Sequence, residues 1–338
     1  MSALLAIAAV LLIVALAGLV YQAIGVRSDA RRFVAPGRLI ESGGGRVHIQ
    51  QAGHGAPSVI LEAGIAATSL SWTRVQERIA EFTQVISYDR PGLGWSDPQR
   101  SPRTLENFVD ELHRLLQSAG VESKRILVGH SFGGLIVSLY ASRYPQDVTG
   151  LVLVDPVAPS EWSGATPQQL AILDRGVRLS RRGAFLARLG VVRFALAVLV
   201  SGGRLVPKTI ARISSGRGAS VTERLVGEVR KLPAEVWPMV RSHWCRPGCF
   251  NAMAGYLASL PASAAAVAAS MIPPEIPITI LSAADSPPGR LREHAAAAKT
   301  SLRGRHIVAS KSGHWILLDE PELVVDAVRE MITDTMRS

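Results

Sequence analysis

The segment that most limits how this chain can fold is Gly129-His130-Ser131-Phe132-Gly133. An apolar run, Arg125-Ile126-Leu127-Val128, stands before it, and a helix-like run over residues 135–144 follows. Glycine two positions to either side of a serine, between a strand and a helix, suits a turn too tight for bulky neighbours. Gly134 extends that freedom. Such a bend lifts the serine off the end of a sheet with a helix N-terminus behind it, and the next backbone N–H then faces any negative charge that develops there. The segment therefore predicts a nucleophile elbow centred on Ser131, with the Phe132 N–H as one oxyanion donor. The plainer reading is a structural turn.

The surrounding pattern supports the elbow. Residues 38–41 and 46–51 flank Gly43-Gly44-Gly45 and read as a hairpin. Buried-strand runs follow at 58–62, 84–88, 125–128, 149–154, 277–281 and 305–308, separated by helical stretches. Thr104 is placed to cap the helix that runs to about Ser118. Strands alternating with helices imply a mainly parallel sheet covered on both faces. With 338 residues, 48% of them hydrophobic, the chain can bury one large α/β core and carry an insertion. Between Pro156 and about Met271 the strand pattern stops, leaving a helical block after the sixth of eight strands.

Three segments resemble the α/β-hydrolase fold superfamily in its cap-bearing branch. Residues 88–97, Tyr-Asp-Arg-Pro-Gly-Leu-Gly-Trp-Ser-Asp, are similar to that branch's Asp-x-Arg-Gly-x-Gly-x-Ser loop. Gly129 to Gly134 resembles its elbow, and Ser312-Gly313-His314 its catalytic histidine loop. The likeness covers about 38–155 and 272–335. It implies a mostly parallel eight-stranded sheet with helices on both faces and a helical cap after strand six. The expected organisation is an N-terminal transmembrane anchor (1–26), a linker (27–37), the first part of the core (38–155), a basic helical cap (156–271) and the rest of the core (272–338).

Ser131 needs a base, because a free hydroxyl is a poor nucleophile. Of the eight histidines, only His314 lies in a loop after the last strand, at the sheet edge where ligands bind. His130 is locked in the elbow and is expected to point away from Ser131. His48, His54, His294 and His306 read as strand, loop or surface-helix residues, His113 as a solvated helix residue, and His243 as part of the cap. The acid that orients the imidazole has two candidates. Asp285 follows the seventh strand, where the resemblance places the acid in most members. Asp155 ends the sixth, where another subset places it. The loop Ser282-Ala-Ala-Asp-Ser is one residue short of the usual pattern and lacks its glycine, which tilts the choice towards Asp155. The second oxyanion donor is expected to be the Ile65 N–H, after Glu62-Ala63-Gly64. Relatives often carry His-Gly there. A backbone donor does not depend on that side chain, and Glu62 is a candidate partner for Arg90 or a support for the loop.

Haloalkane dehalogenases and epoxide hydrolases of this fold carry aspartate in the elbow, so the resemblance with serine at 131 implies acyl transfer. Esters, thioesters or lactones, with an apolar acyl group, are the expected substrates. Two alternatives stay open: an acyltransferase or cofactor-free haloperoxidase-like enzyme with the same triad, and a membrane-tethered binding protein that does not catalyse. No metal or organic cofactor is expected.

The net charge is +10, yet aromatics are only 5% and no nucleic-acid motif occurs, which argues against a nucleic-acid partner. The positive charge is concentrated: residues 160–250 hold fifteen Arg/Lys against five Asp/Glu. Within this block, residues 184–200 are strongly apolar, interrupted by Arg188 and Arg193. They read either as an acyl-pocket helix or as an interfacial segment that meets anionic lipid, aided by Arg175, Arg178, Arg181 and Arg182. Two arginines and a short length argue against a second span. Residues 3–26 carry no charge and are long enough to cross a ~30 Å hydrocarbon layer. Arg27, Arg31, Arg32 and Arg38 follow at once, which favours an uncleaved single-pass anchor with a cytoplasmic catalytic domain. Ala15-Leu16-Ala17 leaves a cleaved signal peptide as the alternative. Cys245 and Cys249 are spaced for either a local disulfide or two unpaired thiols.

Overall fold

The computed structural model describes residues 2–98, 100–121, 124–200 and 231–336. They form two compact units, residues 1–34 with 177–254, and residues 35–176 with 255–338.

The larger unit holds one eight-stranded sheet in the order β1-β2-β4-β3-β5-β6-β7-β8. β1 (Arg38–Ser42) and β2 (Gly45–Ala52) form the expected hairpin, and β2 also runs antiparallel to β4 (Val85–Tyr88). β3 (Ser58–Glu62), β5 (Arg125–His130), β6 (Val148–Val154), β7 (Ile278–Ala283) and β8 (Arg305–Ala309) are parallel. Every residue of β5 and β7 is buried. Helices cover both faces of such a sheet, so its central strands are unbroken apolar runs without alternation. The helix Leu105–Ser118 shows how the cover is made. The Thr104 hydroxyl accepts the Asn107 N–H at 3.3 Å, and Leu105, Phe108, Val109, Leu112, Leu115 and Leu116 form one buried face. Fully burying each such side chain contributes about 1.5–3 kcal/mol.

The block expected to be a cap is helical where it is described: Pro159–Ser163, Pro167–Arg188, Val191–Val200, Trp237–Trp244 and Pro247–Ala268. Residues 201–230 of that block lie outside the described residues. In the smaller unit the helix Ser2–Arg32 runs on through Arg27–Arg32, part of the expected linker. Its segment Ala3–Arg32 is long and apolar enough to cross a membrane.

Of the two readings open for Cys245 and Cys249, the structure shows the unpaired one: both are free and buried. Desolvation raises both thiols, Cys249 to about 12, so neither is an accessible thiolate. His294 is buried, not a surface residue. Its Nε2–H donates to the Pro156 carbonyl (3.0 Å), and its Nδ1 accepts from the Ser282 hydroxyl (2.7 Å). The fold needs that imidazole to tie the cap entrance to β7.

Candidate active site

The register of the parallel strands assembles the site. His130 at the end of β5 pairs with Val154 at the end of β6, so Ser131 and Asp155 emerge side by side at one sheet edge. The Ser131 N–H donates to the Val154 carbonyl at 3.0 Å. Ser131 has φ 54° and ψ −118°, a conformation that costs an L-residue about 1–3 kcal/mol. The glycines answer the crowding around it. A Cβ on Gly129 would stand 2.6 Å from Val137 Cγ2, and one on Gly133 would stand 2.6 Å from the Glu62 carbonyl oxygen.

His314 arrives from the loop after β8. Its Nδ1 is 2.6 Å from Asp155 Oδ2, and its Nε2 is 3.0 Å from Ser131 Oγ. A carboxylate only accepts, so Nδ1 carries the proton and Nε2 is left to accept from the serine hydroxyl. Asp155 is buried, and its other oxygen accepts the Ala283 N–H (3.0 Å) and the Ser286 hydroxyl (3.1 Å). Burial alone would raise this carboxyl. The hydrogen bond and charge of His314 outweigh it, with the Ala283 N–H and Arg290 helping, and bring it down to about 2. Arg290 lies 3.9 Å from Asp155 Oδ2 and is itself held by Glu161 at 2.8 and 2.9 Å.

The structure thus brings Ser131, His314 and Asp155 together and leaves Asp285 out. Asp285 is exposed, with its carboxylate beside Gly313. The end of β7 and the loop after it supply hydrogen-bond donors to Asp155, and the imidazole Nδ1–H goes to Asp155. His130 is not part of the Ser131–His314–Asp155 chain and has a use the sequence did not signal. Its Nε2–H donates to the His314 carbonyl at 2.9 Å, which fixes the histidine loop. Burial, then the nearby His314, hold the His130 imidazole down at about 3. Staying neutral, it adds no second cation 4.8 Å from the His314 ring.

The loop after β3 closes the other side. A Cβ on Gly64 would lie 3.4 Å from Ser131 Cβ, so the backbone leading to Ile65 passes directly by the serine. Among the described residues, neither the Ile65 nor the Phe132 N–H donates to a protein acceptor.

The family model for the alpha/beta hydrolase fold matches residues 57–321, most of the chain. The chain belongs to the alpha/beta hydrolase fold family. Among curated relatives, an AB hydrolase superfamily protein of Gibberella zeae is 39% identical over 103 residues, 29% of this chain and 32% of that protein. The chain spans less than half the length of the curated relatives it matches. A thermophilic esterase from Thermogutta terrifontis superposes with a TM-score of 0.56 at 21% identity, covering 88% of this chain and 98% of the esterase. The epoxide hydrolase CorEH superposes with a TM-score of 0.61 at 17% identity, covering 88% and 98%. At these identities the likeness shows the shared fold.

Where relatives of this alpha/beta hydrolase often carry His-Gly, a buried ion pair supports the loop. Arg90 and Glu62 are both buried and paired, and the Tyr88 hydroxyl also donates to Glu62. Arg90 further donates to the Ala63 carbonyl (2.7 Å), the Gly64 carbonyl and the Tyr256 hydroxyl (2.8 Å). One guanidinium therefore pins both carbonyls that precede Ile65. Tyr256 lies under the Arg90 and Arg103 guanidiniums and packs its ring 5.4 Å from Phe132. Burial pushes the Glu62 carboxyl up, against the pull of Arg90. Breaking such a pair from one side strands a buried charge, at about 3–5 kcal/mol. Arg90→Met is expected to destabilise the core by that amount in denaturant unfolding. Glu62→Gln, which leaves the Arg90 guanidinium buried without its carboxylate, is expected to cost a similar amount. Equal stability of wild type and Arg90→Met would refute this account of the loop.

Proposed function

We propose that this protein is a serine hydrolase that cleaves carboxylic esters through an acyl-enzyme on Ser131, held at a membrane by its N-terminal helix. The observation that carries the reading is the unbroken chain from Ser131 Oγ through His314 (3.0 Å) to Asp155 (2.6 Å). Serine in the elbow separates it from relatives that use aspartate there. His314 Nε2 takes the hydroxyl proton as Ser131 Oγ attacks the ester carbonyl carbon. The carbonyl oxygen becomes an oxyanion and draws on the Phe132 and Ile65 N–H groups. Each such donor is worth about 10²–10³ in turnover. The tetrahedral intermediate then collapses. The alkoxide leaves with the proton from His314, and the acyl group stays on Ser131. Water next attacks the acyl carbon and gives a proton to His314; the second tetrahedral intermediate then collapses, releasing the carboxylic acid as His314 returns that proton to Ser131 Oγ. Asp155 remains a carboxylate throughout, because its pKa of about 2 lies well below neutrality.

The arginines that follow the apolar run favour a cytoplasmic catalytic domain. The exposed apolar span and the basic 160–250 block favour amphiphilic or lipid-like esters that reach the enzyme from the bilayer surface.

A fluorophosphonate probe, followed by an ester, thioester, lactone and epoxide panel, tests the reading. Stoichiometric labelling of Ser131 and release of alcohol from esters are expected. An unlabelled serine, or turnover of the epoxide alone, would overturn it. Transfer of the acyl group to an added alcohol in preference to water would redirect it to an acyltransferase.

A further inference from the structure

The smaller unit fixes the N-terminal helix against the turn that joins the helices Pro167–Arg188 and Val191–Val200. A Cβ on Gly18 would stand 2.2 Å from the Leu189 carbonyl oxygen, and one on Gly190 would stand 2.9 Å from the Tyr21 ring. The Gln22 side chain donates to the Cys245 carbonyl at 2.7 Å and accepts from Arg193 Nε at 3.0 Å. Arg193 also pairs with Asp29 at 2.7 Å, both largely buried. Positions 18, 22, 25 and 29 share one helix face. At Gly25 the Arg193 guanidinium comes so close that any Cβ would clash. The N-terminal helix is therefore seated on this turn over its last three helical turns.

That seating sets a depth. Gly18 lies inside the uncharged run of residues 3–26, eight residues before Val26. At 1.5 Å rise per residue, the turn touches the helix about 12 Å inside the end of that run. Around the turn stand exposed apolar side chains: Phe185 (60% exposed), Leu186, Val191 and Phe194 (63% exposed). Arg181, Arg182 and Arg188 are exposed on the same stretch. An interfacial helix buries its apolar face about 5–10 Å into the headgroup–acyl boundary and sets its arginines at lipid phosphates.

We propose that this turn is a second membrane contact. Phe185, Leu186, Val191 and Phe194 enter the boundary of an anionic bilayer beside the N-terminal helix, and Arg181, Arg182 and Arg188 bind phospholipid phosphates. This rests on the membrane-anchor reading above. It gives the smaller unit a two-point membrane foot, the N-terminal helix and this turn.

The test uses the full chain with an environment-sensitive fluorophore at Phe185→Cys or Phe194→Cys. The buried Cys245 and Cys249 make the unmodified chain the labelling blank. Each labelled chain is reconstituted in phosphatidylcholine vesicles with or without phosphatidylglycerol. Flotation with the vesicles reads the anchor, and quenching of the fluorophore reads the foot. Expected are quenching by nitroxide-bearing lipid and protection from aqueous iodide. Flotation with the fluorophore open to iodide and unquenched by lipid would overturn the foot and leave the anchor standing. Failure to float would overturn both. Protection from iodide without lipid quenching would mean that protein, such as a second copy of this chain, covers the turn, and would also overturn the proposal. Each arginine near an anionic surface is worth a factor of roughly five. The triple variant Arg181→Glu, Arg182→Glu and Arg188→Glu should therefore lower the lipid-exposed fraction at least tenfold in phosphatidylglycerol vesicles, with turnover of a soluble ester unchanged. An unchanged fraction would refute the phosphate contacts.

Discussion

Ser131→Ala is expected to lower turnover of short p-nitrophenyl esters by roughly 10⁶ and to abolish fluorophosphonate labelling. The variant deletes one oxygen and leaves its surroundings in place. Ser131 uses its backbone N–H, not its side chain, to hold the Val154 carbonyl. Gly129 and Gly133 still relieve the crowding, so the fold and its melting temperature should change little. A residual acceleration over water of 10³–10⁴, contributed by the oxyanion donors and substrate binding, is the pattern when a triad member is lost. Full ester turnover in a folded Ser131→Ala variant would remove the elbow from the chemistry and with it the acyl-enzyme. Loss of activity together with loss of fold would be read instead through Ser131→Cys, whose thiol keeps a nucleophile in the same place and should still be modified covalently.

What the sequence made legible follows from where the constraints are local. The elbow could be read because the steric demand for glycine falls within two residues of Ser131. The strands could be read because burial on both faces turns them into unbroken apolar runs. His314 could be read from its place after the last strand. The triad acid could not be settled, since Asp155 and Asp285 both end strands. The choice lies in the β5–β6 register, which sets Asp155 beside Ser131, and in the Ala283 N–H and Ser286 hydroxyl that turn towards Asp155. Neither leaves a mark on neighbouring residues. Tyr256 is a similar case: it meets Arg90 across 166 positions of chain, and a tyrosine in an apolar helix reads as ordinary core. The cysteine pair was open in another way: its close spacing permits a disulfide or two free thiols, and the helices that begin and end around it leave both cysteines free and buried.

The acid is best tested by a paired substitution. Asp155→Asn is expected to lower turnover by about 10⁴, the cost of the equivalent change in the serine protease triad. The Asp155 carboxylate does two things for His314. It accepts the Nδ1–H at 2.6 Å, so that Nε2 faces Ser131 with its lone pair, and it stabilises the imidazolium formed when the serine gives up its proton. Asparagine keeps the shape and can still accept from Ala283 N–H and Ser286 through its oxygen. Its amide nitrogen then faces His314 Nδ1 as a donor, which favours the tautomer with the proton on Nε2 and removes the base. Asp285→Asn, at an exposed carboxylate outside the Ser131–His314–Asp155 chain, should leave turnover within about threefold, as ordinary surface changes do. Stability against pH is a second readout for Asp155→Asn. Asp155 has a lowered pKa in the folded state, so its contribution is present above the unfolded value of about 4 and is lost as pH falls through about 2. Asp155→Asn should therefore weaken the acid-side slope of unfolding. The reverse ranking in turnover, with Asp285→Asn inactive and Asp155→Asn near wild type, would show that the resting hydrogen bond to Asp155 is not the one that works during catalysis.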